Sequence, residues 1–500
     1  MTEGLALALT LAIPFAGAVL IGVTRRRPNV REGVTLVTAT ALFLTVLWLL
    51  DGVLAGARPA VELLEVIPGL PLALEIEPLG MLFGLVASGL WIVNSIYSIG
   101  YMRGNNEGHQ TRYYICFAIA IGAAMGIAFA ANMFTLFIFY EALTLSTYPL
   151  VAHKETEEAK LGARTYLGIL LSTSIGLQLV AIIWTWQIAG TLDFTPGGIL
   201  AGKIEGIFVP ILLALYMFGI GKAALMPVHR WLPAAMVAPT PVSALLHAVA
   251  VVKAGVFTVM KVAVYIFGID FLAVTGASEW LVWVAAATVL LASFVALTQD
   301  NLKARLAYST VSQLSYVVLG AAVATSMGVI GGSLQIVMHA AGKITLFFCA
   351  GAIYTATHKT EISDMVGLGR AMPFTFGAFL IGALSIIGVP PLAGSWSKWY
   401  LMLGAADAGH MVIIGVLMVS SLLNVAYLIP VVARAFFLPA PAIDPQPASA
   451  GAAAVPANPG GIHEAPLFCV LAPCLTAAGC IALFFFADPI YRLLAPIAMR

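Results

Sequence analysis

Glu141, Lys222, His247, Lys253, His339, Lys343 and Lys398 are titratable side chains set inside long apolar runs. Ionised groups at membrane depth are costly, and they are retained there when they pair with one another or move charge. Burial and neighbouring charge tune glutamate, lysine and histidine toward neutrality. A succession of them suits proton transfer between two offset half-channels. Glu141 stands about 14 Å along its run, near the middle of a membrane, and its obvious partner is Lys222. The pair reads either as a static bridge that locks two helices or as a site that loads and releases a proton when the partner moves. His247 and Lys253 are six residues apart, which turns them about 120° from one another on a helix, so water has to bridge them. His339 and Lys343 are spaced i, i+4 and share one face. A histidine alone there reads as a core residue, and the stacked lysine favours a relay. Lys398 follows a helix break. His229 beside Arg230, and His358 beside Lys359, read equally as access groups or as helix-end groups. Lys261, about 30 Å along its run, is expected to snorkel to the interface in a structural role.

Helices spanning a bilayer must position these groups. Of the 500 residues, 61% are hydrophobic and 9% charged, with mean hydropathy +1.00; soluble chains carry roughly 25% charged residues. The apolar runs are about 18 to 30 residues long, which suits helices rather than barrel strands. Fourteen spans are expected, at 4–22, 33–54, 78–100, 113–131, 132–152, 162–188, 208–237, 241–266, 278–298, 305–324, 326–355, 373–402, 411–436 and 467–487. The spans at 208–237 and 373–402 are interrupted, the first by Pro227 and Pro233, the second by Pro390, Pro391 and Gly394. Residues 4–22 read as a retained helix, 55–77 as a short extracytoplasmic hairpin, and 437–466, rich in Ala and Pro, as a flexible linker. The five cysteines lie in apolar runs without a CxxC pair, so neither a metal nor a cofactor is expected. Net charge of +1 gives no sign of nucleic-acid binding. No nucleophile motif or paired loop carboxylates suggest a membrane enzyme.

Basic residues set the orientation. The odd-numbered connections hold Arg25, Arg26, Arg27, Arg31, Arg103, Arg112, Lys154, Lys160, Arg164, Arg230, Lys303, Arg305, Lys359, Arg370 and Arg434; the even ones and the C-terminal tail hold only Arg58, Lys203, Arg492 and Arg500. The odd connections are therefore expected in the cytoplasm, with both termini outside a cell (plasma) membrane. The two broken spans, each with an in-span lysine, lie five spans apart and so run in opposite directions. That predicts two inverted five-helix repeats, spans 4–8 and 9–13. The expected division is 1–112, an N-terminal three-helix region; 113–266 and 278–436, the two repeats; 437–466, the linker; and 467–500, the last helix.

The stretch GKAALMPVHRWLPAAMVAPTPVSALLHAVAVVKAG resembles the signature of the antiporter-like membrane subunits of respiratory complex I, Mrp-type multisubunit sodium/proton antiporters and related membrane-bound hydrogenases. DNLKARLAYSTVSQLSY, MHAAGKITLFFCAG and GVPPLAGSWSKW match further blocks in the same order. The resemblance covers roughly residues 75–435. It implies fourteen helices with inverted five-helix repeats, Glu141 and Lys222 as the acid–lysine pair of the first half, His247, Lys253, His339 and Lys343 as the central relay, and Lys398 as the terminal lysine. Some relatives carry glutamate at the position of Lys398. Length and this lysine point to the Mrp antiporter branch, to its D-type members, with complex I subunits of similar length as close competitors. The implied partners are other membrane subunits, protons and sodium. Catalysis would arise only within a redox complex. The rival class is a membrane scaffold whose buried charges only specify helix packing.

Overall fold

A computed structural model describes residues 2–439 and 461–498. The chain is an all-α multi-pass membrane protein. In chain order its rods are α1 (Glu3–Val23), α2 (Pro28–Leu54), α3 (Pro78–Gly104), α4 (Gln110–Ala128), α5 (Met133–Val151), α6 (Glu157–Ala189), α7 (Phe208–Gly219 and, past a break, Trp231–Ala234), α8 (Thr240–Phe267), α9 (Glu279–Thr298), α10 (Leu302–Ala322), α11 (Ser326–Thr357), α12 (Pro373–Ile387 and, past a break, Gly394–Asp407), α13 (Met411–Phe437) and α14 (Leu467–Phe485). A further helix, α15 (Ala487–Ala498), follows where only a tail is expected. Most of the expected linker, residues 440–460, lies outside the described residues.

Eleven of these rods are long and apolar enough to cross a membrane. The remaining three, α7, α10 and α12, depart for physical reasons. Proline breaks α7 and α12. In α10 the residues Ser309, Thr310, Ser312, Gln313 and Ser315 are all buried; a rod enclosed by α9, α11 and α13 need not be apolar toward lipid. Enclosure is greatest in α8 and α11, whose apolar windows are 100% buried, against 33% for α2, α6, α13 and α14. The centre of the bundle is thus the pair of helices that carries His247, Lys253, His339 and Lys343.

Helix starts follow local chemistry. Asn132, Thr156, Asn301 and Thr325 each accept a hydrogen bond from a backbone N–H of the first turn of α5, α6, α10 and α11, the ordinary device for satisfying those orphan donors. Between α2 and α3, strands β1 (Ala60–Ile67) and β2 (Leu70–Glu75) form the expected antiparallel hairpin. Gly69, at φ +80°, makes its two-residue turn.

Connections of like parity share a face. A cavity of about 340 Å³ is lined by Lys154, Val237, Asn301, Lys303 and Lys359, all from or beside odd-numbered connections. Another, of about 200 Å³, is lined by Arg58, Glu75, Ala131, Phe194, Asp270 and Ile497, from even-numbered connections and α15. These are called the odd and even faces below.

Candidate proton pathway

The first break positions Lys222. After α7 leaves helical geometry at Ile220, residues Gly221–Ala223 make one 3₁₀ turn and Ala224 adopts the left-handed region at φ +55°. Backbone groups freed inside a membrane must find partners. Here the Lys222 amide donates to the Tyr140 hydroxyl (3.1 Å), and the Trp231 indole donates to Gly221 O (2.9 Å). Gly255 of α8 packs directly on the break: a Cβ there would lie 2.3 Å from the Lys222 carbonyl carbon. The Lys222 ammonium reaches α5, donating to Tyr140 O (2.9 Å) and Thr144 Oγ1 (2.6 Å), with Nζ 3.1 Å from the centre of the Tyr140 ring.

It does not reach Glu141. No basic nitrogen among the described residues lies within 4.0 Å of that carboxylate, and both its oxygens are covered without a hydrogen-bond partner. The expected direct ion pair is therefore absent. The reason is register. Lys222 meets the face of α5 that carries Tyr140 and Thr144. Glu141 is one residue further round, on the stripe with Ile138 and Leu145, which are 42% and 57% exposed.

In the enclosed centre, Lys253 Nζ lies 2.6 Å from His339 Nδ1. This hydrogen bond between two titratable groups joins α8 to α11. If the lysine donates, the imidazole keeps its own proton on Nε2, which has no partner among the described residues. His339 and Lys343, expected to act as a stacked pair, turn to different neighbours. Lys343 donates to Ser309 Oγ (2.6 Å) and Leu306 O (3.3 Å) of α10. His247 sits in a π-helical turn, Leu245–Val249, with its ring 4.5 Å from that of Phe347 and neither nitrogen hydrogen-bonded. Such turns commonly mark functional positions in helices.

Beyond Lys343 the hydrogen bonding continues. The Tyr427 hydroxyl of α13 donates to Ser309 Oγ (2.8 Å) and is in close contact with Asn424 Oδ1. One turn earlier on α13, Ser421 accepts from Lys398 Nζ (2.8 Å). Lys398 also donates to Ile387 O (2.7 Å), a terminal carbonyl of the first half of α12, where a helix end favours a cation. Tyr316 covers it, 5.3 Å from ring centre to Nζ. A second bridge runs from Ser397 to Gln335 (2.6 Å) and from Gln335 to Gln313 (2.8 Å). Ser309, Ser421, Asn424 and Tyr427 are not among the residues expected from sequence. Their signal is present there all the same: polar side chains in apolar runs, at i, i+3 spacing on α13.

The edge groups also resolve. His358 ends α11 at φ +55° against the ring of Tyr354, 5.4 Å away, a helix-end role. His229 packs near Tyr308 with centroids 6.2 Å apart. Lys303 donates to Ala238 O (2.6 Å) at the wall of the odd-face cavity. Nearby, burial pushes the Glu107 carboxyl up, against the opposing pull of Lys154 and Lys303. Lys261 does not snorkel. It is fully buried, 3.0 Å from Glu77 Oε1, because α3 begins with a carboxylate at that level.

Comparison with known proteins places this geometry. The profile of the NADH:quinone oxidoreductase/Mrp antiporter transmembrane family matches residues 130–424. NADH-quinone oxidoreductase subunit N of Desulforudis audaxviator is 33% identical over 375 residues, 74% of this chain and 73% of its own. NAD(P)H-quinone oxidoreductase chain 5 of Picosynechococcus is 29% identical over 350 residues, 66% of this chain and only 50% of that longer protein. Among solved structures, a chain of the Mrp complex from Dietzia superposes with a TM-score of 0.86 at 22% identity, covering 100% of this chain and 97% of its own. A chain of an archaeal membrane-bound sulfane sulfur reductase does so with 0.85 at 23%, covering 99% and 98%; these two likenesses speak to fold. Both in the profile that spans its two broken helices and in the relatives it aligns with, the chain belongs to the NADH:quinone oxidoreductase/Mrp antiporter transmembrane family.

Proposed function

We propose that this chain is a proton-translocating, antiporter-like membrane subunit of a multisubunit complex, driven either by sodium exchange or by redox chemistry in partner subunits. The observation that carries the reading is the Lys253–His339 bond in the enclosed centre, flanked by a lysine at each helix break. Protons reach Lys222 from the odd face, which its arginines and lysines assign to the cytoplasm. They pass to the Lys253–His339 unit, then along Lys343, Ser309 and the polar face of α13 to Lys398. Two inverted repeats, 113–266 and 278–436, supply the two ends of this path. His247, unbonded and one π-helical turn before Lys253, is placed to carry protons between the first break and the centre.

The position of Glu141 argues for partners. Its carboxylate oxygens are covered within the chain and unpartnered among the described residues, while Ile138 and Leu145 on the same stripe are exposed. Another membrane subunit covering that stripe would bring its own charge to Glu141 and could bias the Lys222 site through it. The same path would serve a redox-driven complex, and the names of the aligned relatives, quinone oxidoreductase subunits, favour that driver over sodium exchange. Purifying the native assembly and identifying its other subunits decides between the two. The path itself is tested by Lys222→Ala and Glu141→Ala in a complex that still assembles. Proton-coupled transport persisting at the native rate would remove the assignment.

A further inference from the structure

The even-face cavity, of about 200 Å³, lies away from Lys398, and its floor is the Lys261–Glu77 ion pair. Glu77 caps α3, accepting from Leu79 N and Gly80 N, both at 2.9 Å, and from the Tyr265 hydroxyl at 2.6 Å. Three donors thus converge on this one carboxylate, and Lys261 Nζ stands 3.0 Å from Oε1 as an ion pair without hydrogen-bond geometry among the described residues. The π-helical turn Val262–Phe267 begins immediately after Lys261 and carries Tyr265 to Glu77. Phe194 covers the ammonium, its ring centre 4.0 Å from Nζ.

A buried ion pair is a poor way to hold two helices together. Desolvation offsets most of its attraction, and apolar side chains of similar volume do as well or better. This pair is also not sealed: it lines a cavity shared with Arg58, Glu75 and Asp270. Lys253 precedes Lys261 by eight residues on α8, a rise of about 12 Å, so one helix joins the central unit to the cavity floor. At the mouth, burial pushes the Glu75 carboxyl up and the charge of Glu77 adds to this, while Lys261 and Arg58 pull it down and Asp193 again adds.

We propose that Lys261 and Glu77 form a proton port on the even face of the first repeat, through which Lys253 exchanges protons with the cavity in the same cycle that carries protons to Lys398. The Lys261 ammonium, held by Glu77, passes a proton through water to the Glu75 carboxylate and on to the bulk. The resulting amine takes a proton from the Lys253 ammonium by way of water, which restores the ion pair. Only N–H and O–H bonds form and break, and no electrons move. The port rests on the reading that this chain carries protons.

The test uses the whole complex in proteoliposomes, with pH varied on the even face and fixed on the other. Lys261→Arg keeps the charge and the pairing with Glu77 but cannot give up a proton. Flux is expected to fall at least about fivefold, and the dependence of flux on even-face pH to be lost. A purely structural pair predicts rescue by arginine. Native flux, or reduced flux with the native pH profile, overturns the port. Should Lys261→Arg fail to assemble, Glu75→Gln decides: a shifted even-face profile supports the port and an unchanged one overturns it. Lys222→Ala is measured alongside. Flux lost in Lys222→Ala but native in Lys261→Arg removes the port and leaves the relay standing. Flux retained in Lys222→Ala removes the relay itself, and the port with it.

Discussion

The two helix breaks hold their lysines in opposite ways. At the first, the backbone of Lys222 is itself inside the break, neighbouring side chains satisfy the freed groups, and the ammonium leaves for α5. At the second, Lys398 stands on the regular helix after the break and turns back to take the Ile387 carbonyl of its own broken rod. The ammonium of Lys222 thus depends on the position of a neighbouring helix, the one carrying Glu141, while that of Lys398 is tied to its own helix end. A movement of α5 would disturb the first lysine directly. The second would respond through α13, where Ser421, Asn424 and Tyr427 lead back to Lys343. The first break reads as the adjustable end of the path, the second as the fixed one.

The sharpest way to break this comparison is to remove the lysines. Lys222→Ala and Lys398→Ala should each lower proton transport by about 100-fold, the scale on which a positioned acid–base group contributes, measured as dye quenching in proteoliposomes of assembled complex. Equal loss with Lys222→Arg and Lys398→Arg would show that exchange, not charge, is required; native flux in either arginine variant would sink the proton-carrying role of that site. Next in size is the hydroxyl that links the second half. Tyr427→Phe removes the donor to Ser309 and should slow transport about tenfold, with Thr144→Val, at the first lysine, costing less because Tyr140 O still accepts. The reverse order would invert the assignment of fixed and adjustable ends.

Two smaller effects concern stability. Gly255→Ala places a Cβ against backbone at the first break and should cost about 1–3 kcal/mol as an overpacked site, read as a lower unfolding temperature in detergent. The left-handed positions should respond with different signs. Gly388, at φ +89°, precedes the second break, and Gly388→Ala should destabilise by about 1–3 kcal/mol. Ala224→Gly at the first break relieves the strain of an alanine at φ +55° but adds glycine's unfolded-state entropy of about 0.5–1 kcal/mol, so its net change should be within about 1 kcal/mol of zero. A large loss from Ala224→Gly would mean the strain of that alanine is not what the first break stores.

Much of the bundle is legible in the residues alone, since hydropathy and period outline rods that must bury every backbone group in lipid. The hairpin at 55–77 and the two breaks are equally open to reading, through Pro68–Gly69, Pro227 and Pro390–Pro391. What escapes is pairing. Lys261 lies near the end of its run and suggests snorkelling, yet it is buried on Glu77, a residue 184 positions away by subtraction of their numbers. Glu141 and Lys222 are an acid and a base at one depth, and still do not touch.

The sequence by itself outlined fourteen rods and which of them break, because hydropathy and proline mark both, but it left out α15 and put Lys261 at the interface. Only the tertiary structure decided which groups meet. A helix presents a different face every 100°, so one residue of rotation separates Tyr140, which holds Lys222, from Glu141, which does not. The same rotational choice put Lys253 on His339 and left Lys343 to α10, and no one-dimensional pattern records how two helices are turned toward each other.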